Sequence, residues 1–276
     1  MDINSVSGQT PAPLIQQIIV IAGQAASAIL DIYHSNFAIE HKDDDSPLTA
    51  ADLASHHTIC KALITLTPDV PILSEESATV PWSKRKTWDT YWLIDPLDGT
   101  REFIKRNGEF TVNIALIHHH RPVLGVVHVP ASNTVYFASS ETGAWIKNGE
   151  AAPQSIHTRR TSASQLKLAG SRSHGSEKQT RFLKSLGPDI QTFAIGSSLK
   201  FCLIAEGKLD FYARFGPTSE WDSAAAQCVV EQSGGLVTDM QFQSLRYNTK
   251  ESLRNPDFLV IADQSFDWKS RLDKIA

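Results

Sequence analysis

The chain has 276 residues, enough for one large domain or two modest ones sharing an interface. It is 41% apolar and 20% charged with a net charge of −4, the balance of a soluble globular protein. No Lys/Arg stripe runs through it to track a phosphate backbone, which excludes a nucleic-acid polymer as partner. Cys60, Cys202 and Cys228 show neither CxxC nor Cys/His spacing and read as small core hydrophobes. Met1 to Gly8 lacks a basic region ahead of an apolar one, so no signal peptide is expected. The chain is placed in the cytoplasm, at most peripheral to the inner membrane face.

Helical periodicity covers about 12–34. Gln16, Gln17, Gln24 and Ser27 interrupt its apolar stretch, which predicts a helix packed within a protein rather than a membrane span. A polar loop, His41 to Pro47, precedes a second helix from Thr49 to Leu66, which stops before Pro68. Short apolar runs then predict strands at Ile72-Leu73, Tyr91 to Ile94, Thr111 to Ile117, Val123 to Val129 and Val135 to Phe137. His120-Arg121-Pro122 reads as a hairpin turn, with His118, His119 and His120 facing solvent, and Asn148-Gly149 gives a second hairpin signal. Beyond about residue 155, strands at Leu166 to Ala169, Gln191 to Ile195, Leu209 to Ala213 and Phe258 to Ile261 alternate with helices at Ser176 to Leu186, Ser197 to Glu206, Ser219 to Gln232 and the C-terminus. That order predicts an α/β protein, an α+β half over 1–155 followed by an α/β half over 156–276.

Three acidic segments sit where a strand gives way to a loop or helix: Leu73 to Ser77 with Glu75 and Glu76, Trp92 to Thr100 with Asp95 and Asp98, and Glu220 to Ala225 with Asp222. Mg²⁺ takes oxygen ligands in octahedral array and keeps room for water and phosphate oxygens, a demand met by carboxylates presented at a cleft. Asp95 and Asp98 stand three apart around Pro96, and turning both into one cavity without a cation would be costly. Gly99 permits a tight turn, and the run from Thr100 reads as a helix start whose N–H groups would grip a phosphate oxygen. Glu76 reads as a charged neighbour of Glu75. A carboxylate pair running into a phosphate-binding turn is what metal-assisted phosphoryl transfer requires.

Asp95-Pro96-Leu97-Asp98-Gly99-Thr100 and Trp221-Asp222-Ser223-Ala224-Ala225 resemble the two signature motifs of the inositol monophosphatase superfamily. Glu75 falls in its upstream acidic motif, and Thr49-Ala50-Ala51-Asp52 resembles its Thr-x-x-Asp element. The resemblance implies a layered αβαβα sandwich and two or three Mg²⁺ ions. One would lie on Glu75, Asp95 and the Leu97 carbonyl, a second on Asp95, Asp98 and Asp222, and a third with help from Glu75. Asp52 and Thr100 would orient and deprotonate the attacking water. Gly196-Ser197-Ser198-Leu199-Lys200-Phe201 resembles the 3'(2'),5'-bisphosphate nucleotidase branch, as do Lys42, the Ser171 to His174 segment and the Arg214 to Thr218 segment. Ala226 departs from the glycine that many relatives carry. Substrate contacts are therefore expected from Gly99, Thr100, Lys42, His174, Gly196, Ser197, Ser198, Lys200, Arg214 and Thr218, with Lys200 reading a second phosphate. The implied reaction is in-line attack of water on the 3'-phosphorus of adenosine 3',5'-bisphosphate, or of its sulfated relative PAPS, without a phospho-enzyme and without a partner protein. An inositol-1-phosphatase and a non-catalytic binding protein on the same fold remain as rival readings.

Overall fold

The computed structural model describes residues 11–35, 39–41, 47–77, 80–172, 178, 181–183, 186 and 190–273. Two substrate-contact expectations, Lys42 and His174, lie outside the described residues, as does most of the helix expected over Ser176 to Leu186.

Two long helices, α1 (Pro11–Tyr33) and α2 (Ala50–Leu66), lie together on one face of a seven-stranded sheet. That sheet runs in the order β3 (Ile72–Ser74), β4 (Thr90–Asp98), β5 (Thr111–His118), β6 (Arg121–Val129), β7 (Thr134–Ser139), β8 (Gly143–Asn148), β9 (Gln154–Ser155). It is antiparallel apart from the β3–β4 pair. Its short connections explain the order, because hairpins join neighbours whereas parallel strands need a crossover, here through helix α3 (Trp82–Arg85). A small ribbon, β1 (Ile39–His41) with β2 (Pro47–Thr49), leads into α2. The second sheet has the order β11 (Ile190–Ile195), β10 (Leu166–Ser171), β12 (Phe211–Arg214), β14 (Phe258–Ile261), β13 (Leu236–Asp239).

Successive side chains along each strand point to opposite faces of the sheet, both of them covered, and this sorts the chain into layers. On β5, Val112, Ile114 and Leu116 pack towards α1 and α2, while Ala115 and Ile117 face a core shared with helices α5 (Leu199–Ala205) and α6 (Ala224–Gln232). On β12, Tyr212 joins that shared core, whereas Phe211 and Ala213 turn outward against Trp268 of helix α7 (Trp268–Asp273). The layers therefore read α1/α2, seven-stranded sheet, α5/α6, five-stranded sheet, α7. This is the expected αβαβα sandwich. Helix α1 is long and apolar enough to cross a membrane by length and composition alone. Its Leu14, Ile15, Ile18, Ala22, Ala25 and Ile29 are instead packed into the sheet's core.

Three local expectations change. The helix expected from Ser197 starts at Leu199, because Ser197 takes a left-handed conformation with φ 49°. The helix expected from Ser219 begins as a 3-10 turn, Glu220–Asp222, and becomes α-helical only at Ala224. Strands β1, β2, β8, β9 and β13 are additional; the four residues of β13 follow too closely on Gly234-Gly235 to show a period.

Where α6 crosses β6, the sheet offers it Gly125. A Cβ there would lie 2.3 Å from the Ala225 carbonyl oxygen and 2.8 Å from Cys228 Cβ, so the contact exists only with glycine. Gly125→Ala is expected to destabilise by about 1–3 kcal/mol through overpacking, lowering Tm by about 2–4 °C per kcal/mol. Thermal melting followed by circular dichroism tests this. An unchanged Tm would mean that α6 does not press on the sheet here.

Candidate active site

In an unbroken strand, residues three apart point to opposite faces, so Asp95 and Asp98 could not share a cavity. The structure resolves this with a β-bulge. Asp95 pairs with Asn113 and Asp98 with Thr111, so three steps on β4 oppose two on β5, and the extra residue brings both carboxylates round to the cleft. A bulge is also where a strand tolerates proline, and Pro96 stands there. The free Pro96 carbonyl accepts a hydrogen bond from Ser55 Oγ at 2.7 Å, which fixes the bulge against α2. The Leu97 N–H donates to Asp95 Oδ1 at 3.1 Å. Gly99 then turns the chain with φ 92° into the short helix α4 (Thr100–Ile104).

Glu75 follows the end of β3, beside β4, and Asp222 ends the 3-10 turn from the second half. Ligand oxygens of Glu75, Asp95 and Asp222 all lie within 4.8 Å of one another. Asp98 lines the same cleft, with its Oδ2 accepting from the Ser198 N–H. Burial pushes the Asp98 carboxyl up to about 6, partly opposed by the charge of Lys200. Burial, then the charges of Asp98 and Glu75, push Asp222 well above the usual carboxylate range. Protein alone thus disfavours the ionised forms of Asp98 and Asp222, and a divalent cation would reverse that. A clustered set of hard oxygen donors fits Mg²⁺.

Asp52 sits behind this cluster rather than in the cleft. It is the third residue of α2 and completes a capping box: Thr49 N–H and Thr49 Oγ donate to its Oδ2 at 2.8 and 2.7 Å. Its other oxygen, Oδ1, accepts from Thr100 Oγ at 3.1 Å. One buried carboxylate therefore anchors a helix start and holds the hydroxyl of a residue that lines the cleft.

The cleft has a volume of about 700 Å³ and also carries Gly99, Gly196, Ser197, Ser198, Lys200, Arg214 and Thr218. These are not equivalent. Ser198 is 1% exposed, and its hydroxyl is engaged by Thr111 and Asn113. Gly196 N–H donates to Glu109 Oε2 at 2.7 Å, and the same carboxylate takes Arg172 in a bidentate pair. Lys200, expected to read a second phosphate, is enclosed by the protein. It is 6% exposed, its Nζ donates to the carbonyls of Ser197 and Ile195, and burial pushes it down to about 8. Arg214 and Thr218 differ in kind: Arg214 Nε and Thr218 Oγ are buried without a hydrogen-bond partner among the described residues. Arg214 has only Nη2 engaged by backbone, donating to the Pro217 carbonyl at 3.0 Å.

Sequence reasoning missed several residues that the fold delivers to the cleft. Arg254 arrives because Ser219 and Arg254 pair as an isolated antiparallel bridge, and Arg101 and Tyr212 line the wall as well. Nothing local marks Arg254 or Arg101. Thr111 and Asn113 carried a signal, since they are polar at the β5 positions whose partners Ala115 and Ile117 are core.

The inositol monophosphatase family model matches residues 11–268. A 3'(2'),5'-bisphosphate nucleotidase CysQ of Salmonella typhimurium strain LT2 is 48% identical over 249 residues, covering 90% of this chain and 99% of the relative. The protein of the same name from Escherichia coli K12 is 47% identical with the same coverage. The crystal structure of CysQ from Bacteroides thetaiotaomicron aligns with a TM-score of 0.81 at 38% identity, over 92% of this chain and 98% of that one. An inositol monophosphatase from Zymomonas mobilis shares the fold, with a TM-score of 0.77 at 22% identity, over 97% of this chain and 99% of that one. With the family model spanning nearly the whole chain and the acidic cluster assembled on the matching fold, this chain belongs to the inositol monophosphatase family.

Proposed function

We propose that this protein is a cytoplasmic, Mg²⁺-dependent 3'(2'),5'-bisphosphate nucleotidase that converts adenosine 3',5'-bisphosphate to AMP and inorganic phosphate. The observation that carries the reading is one cleft holding both the acidic cluster and the buried, partly unpaired guanidinium of Arg214. An acidic cluster suits metal and a scissile phosphate, while a buried cation with an open donor suits a second phosphate of the same substrate. The relatives named CysQ support it.

Glu75, Asp95, Asp98, Asp222 and the Leu97 carbonyl would hold two or three Mg²⁺ ions. When bound, Mg²⁺ lowers the pKa of water and offsets charge on the phosphoryl oxygens. The protein's own part is positional and protic. Thr100 gives its proton to Asp52 Oδ1, which leaves its oxygen as an acceptor on the cleft side. A water held there is oriented by Thr100, and its proton passes to the Thr100 oxygen as the Thr100 proton moves to Asp52. Asp52 remains in place because its other oxygen is fixed by Thr49. Gly99 and Ser197 leave room for the phosphate, and Arg214 with Thr218 meets the 5'-phosphate.

Phosphate release from adenosine 3',5'-bisphosphate and from inositol 1-phosphate, each with Mg²⁺ and with EDTA, tests the reading. Release from the bisphosphate should dominate and vanish with EDTA; dominance of inositol 1-phosphate would replace it with an inositol phosphatase. Arg214→Met should lower kcat/KM on the bisphosphate by about ten- to a hundredfold, the value of a charge-assisted contact. On inositol 1-phosphate it should change little. Equal losses on both would remove Arg214 from 5'-phosphate recognition.

A further inference from the structure

Thr111 and Asn113 are 0% and 1% exposed on a strand whose neighbouring positions on that face are apolar. Buried polar side chains persist when their hydrogen bonds are met, so their partners show what they serve. Both meet one residue from the other half of the chain, Ser198. Ser198 Oγ donates to Asn113 Oδ1 at 2.8 Å, and Thr111 Oγ lies 2.8 Å from Ser198 Oγ. A hydroxyl has one proton, and Ser198 has given its own to Asn113, so Thr111 must donate in the second contact. Accepting from Ser198 also turns the Asn113 amide nitrogen towards Asp98 Oδ2, at 3.5 Å; Thr111, its one proton committed to Ser198, acts on Asp98 by fixing Ser198. Ser198 then delivers its backbone N–H to the same oxygen of Asp98.

The chain on either side is bent to permit this. Ser197 holds a left-handed φ of 49°, a conformation unfavourable for a residue with a Cβ. Lys200 folds back and donates to the carbonyls of Ser197 and Ile195, closing the loop on itself. The Ser198 side chain has no proton left for a phosphate and almost no exposure.

On the reading of Asp98 as a metal ligand, we propose that Thr111, Asn113 and Ser198 are positioning residues that lock the Asp98 carboxylate for the metal, and that Ser198 serves the metal site rather than the substrate. The lock joins β5 to the segment ahead of α5, so the two sheets must close on each other before Asp98 is set. All three side chains are neutral, so removing one changes geometry without changing the charge around the cation.

The test uses the full-length protein, stripped with EDTA and dialysed, with Mg²⁺ alone titrated in a calorimeter. Thr111→Val keeps the shape and loses the hydroxyl; Ser198→Ala removes the central oxygen. Each should weaken Mg²⁺ binding by about tenfold, the effect of one net hydrogen bond, while Thr111→Ser stays near wild type. At saturating Mg²⁺, KM for adenosine 3',5'-bisphosphate should be unchanged in Ser198→Ala. Wild-type Mg²⁺ affinity in Ser198→Ala overturns the proposal, and a raised KM alongside it would return the hydroxyl to the substrate. Should Thr111→Val fail to fold, Ser198→Ala carries the test alone. Asp98→Asn is the control: wild-type Mg²⁺ binding there would overturn the metal reading of Asp98 itself, a failure separate from that of the lock.

Discussion

Asp95→Asn is expected to lower kcat on the order of 10³-fold with the fold intact. Asp95 is 1% exposed, belongs to the trio with Glu75 and Asp222, and stands at the shoulder of the β4 bulge. Asparagine keeps the shape and can still accept from the Leu97 N–H, so the bulge should survive. On the proposed metal reading, what is lost is one ligand charge on a cation that would supply several kcal/mol of transition-state stabilisation; about 4 kcal/mol corresponds to 10³ in rate. Steady-state turnover at saturating Mg²⁺ and a melting curve check the two halves of the expectation. Near wild-type kcat in a folded Asp95→Asn protein would remove Asp95 from the metal site. A collapsed Tm would show that the carboxylate is needed for the bulge.

Thr100→Val should lower kcat by about 10²-fold or more with KM for the bisphosphate little changed, the signature of a lost proton-transfer group. The substitution is close to isosteric and keeps the start of α4. It cuts the path from cleft to Asp52, because the only Thr100 group that reaches Asp52 is the hydroxyl, at 3.1 Å. Thr100→Ser, which keeps that hydroxyl, should recover much of the rate. Thr100→Val is the more informative change than one at Asp52, since Asp52 also accepts from Thr49 and its removal would unpick the start of α2. A rise in KM without a fall in kcat would make Thr100 a substrate contact only.

Asp52 illustrates how much of this site was readable before folding. Thr49-Ala50-Ala51-Asp52 is legible in sequence as a helix start and as a family element, and the structure makes it a capping box. The same residue's second partner, Thr100, is a long-range contact that no local pattern encodes. Lys200 shows the converse. In sequence it reads either as a solvated lysine or as a phosphate reader, because a charged side chain's burial depends on which walls close over it. Folded, it is enclosed between α5 and β12, above the Tyr212 ring, and spends its donors on two carbonyls.

By itself the sequence determined strands β3 to β7, the acidic segments and the family motif, because hydrophobic period, turn residues and contiguous motifs are properties of neighbours along the chain. Only the tertiary structure decided which carboxylates meet. Asp95 and Asp98 share a cleft through a one-residue offset between β4 and β5, and that offset is a property of a strand pair, invisible in either strand alone. Asp222 joins Glu75 and Asp95 only when the two sheets pack about α5 and α6, and the same packing brings Ser198 to Asp98, Arg254 to the rim and Arg214 to the inner wall. Those placements follow from burying the shared apolar core between the sheets, a cooperative effect of the whole chain to which the polar residues of the site contribute little and by which they are positioned.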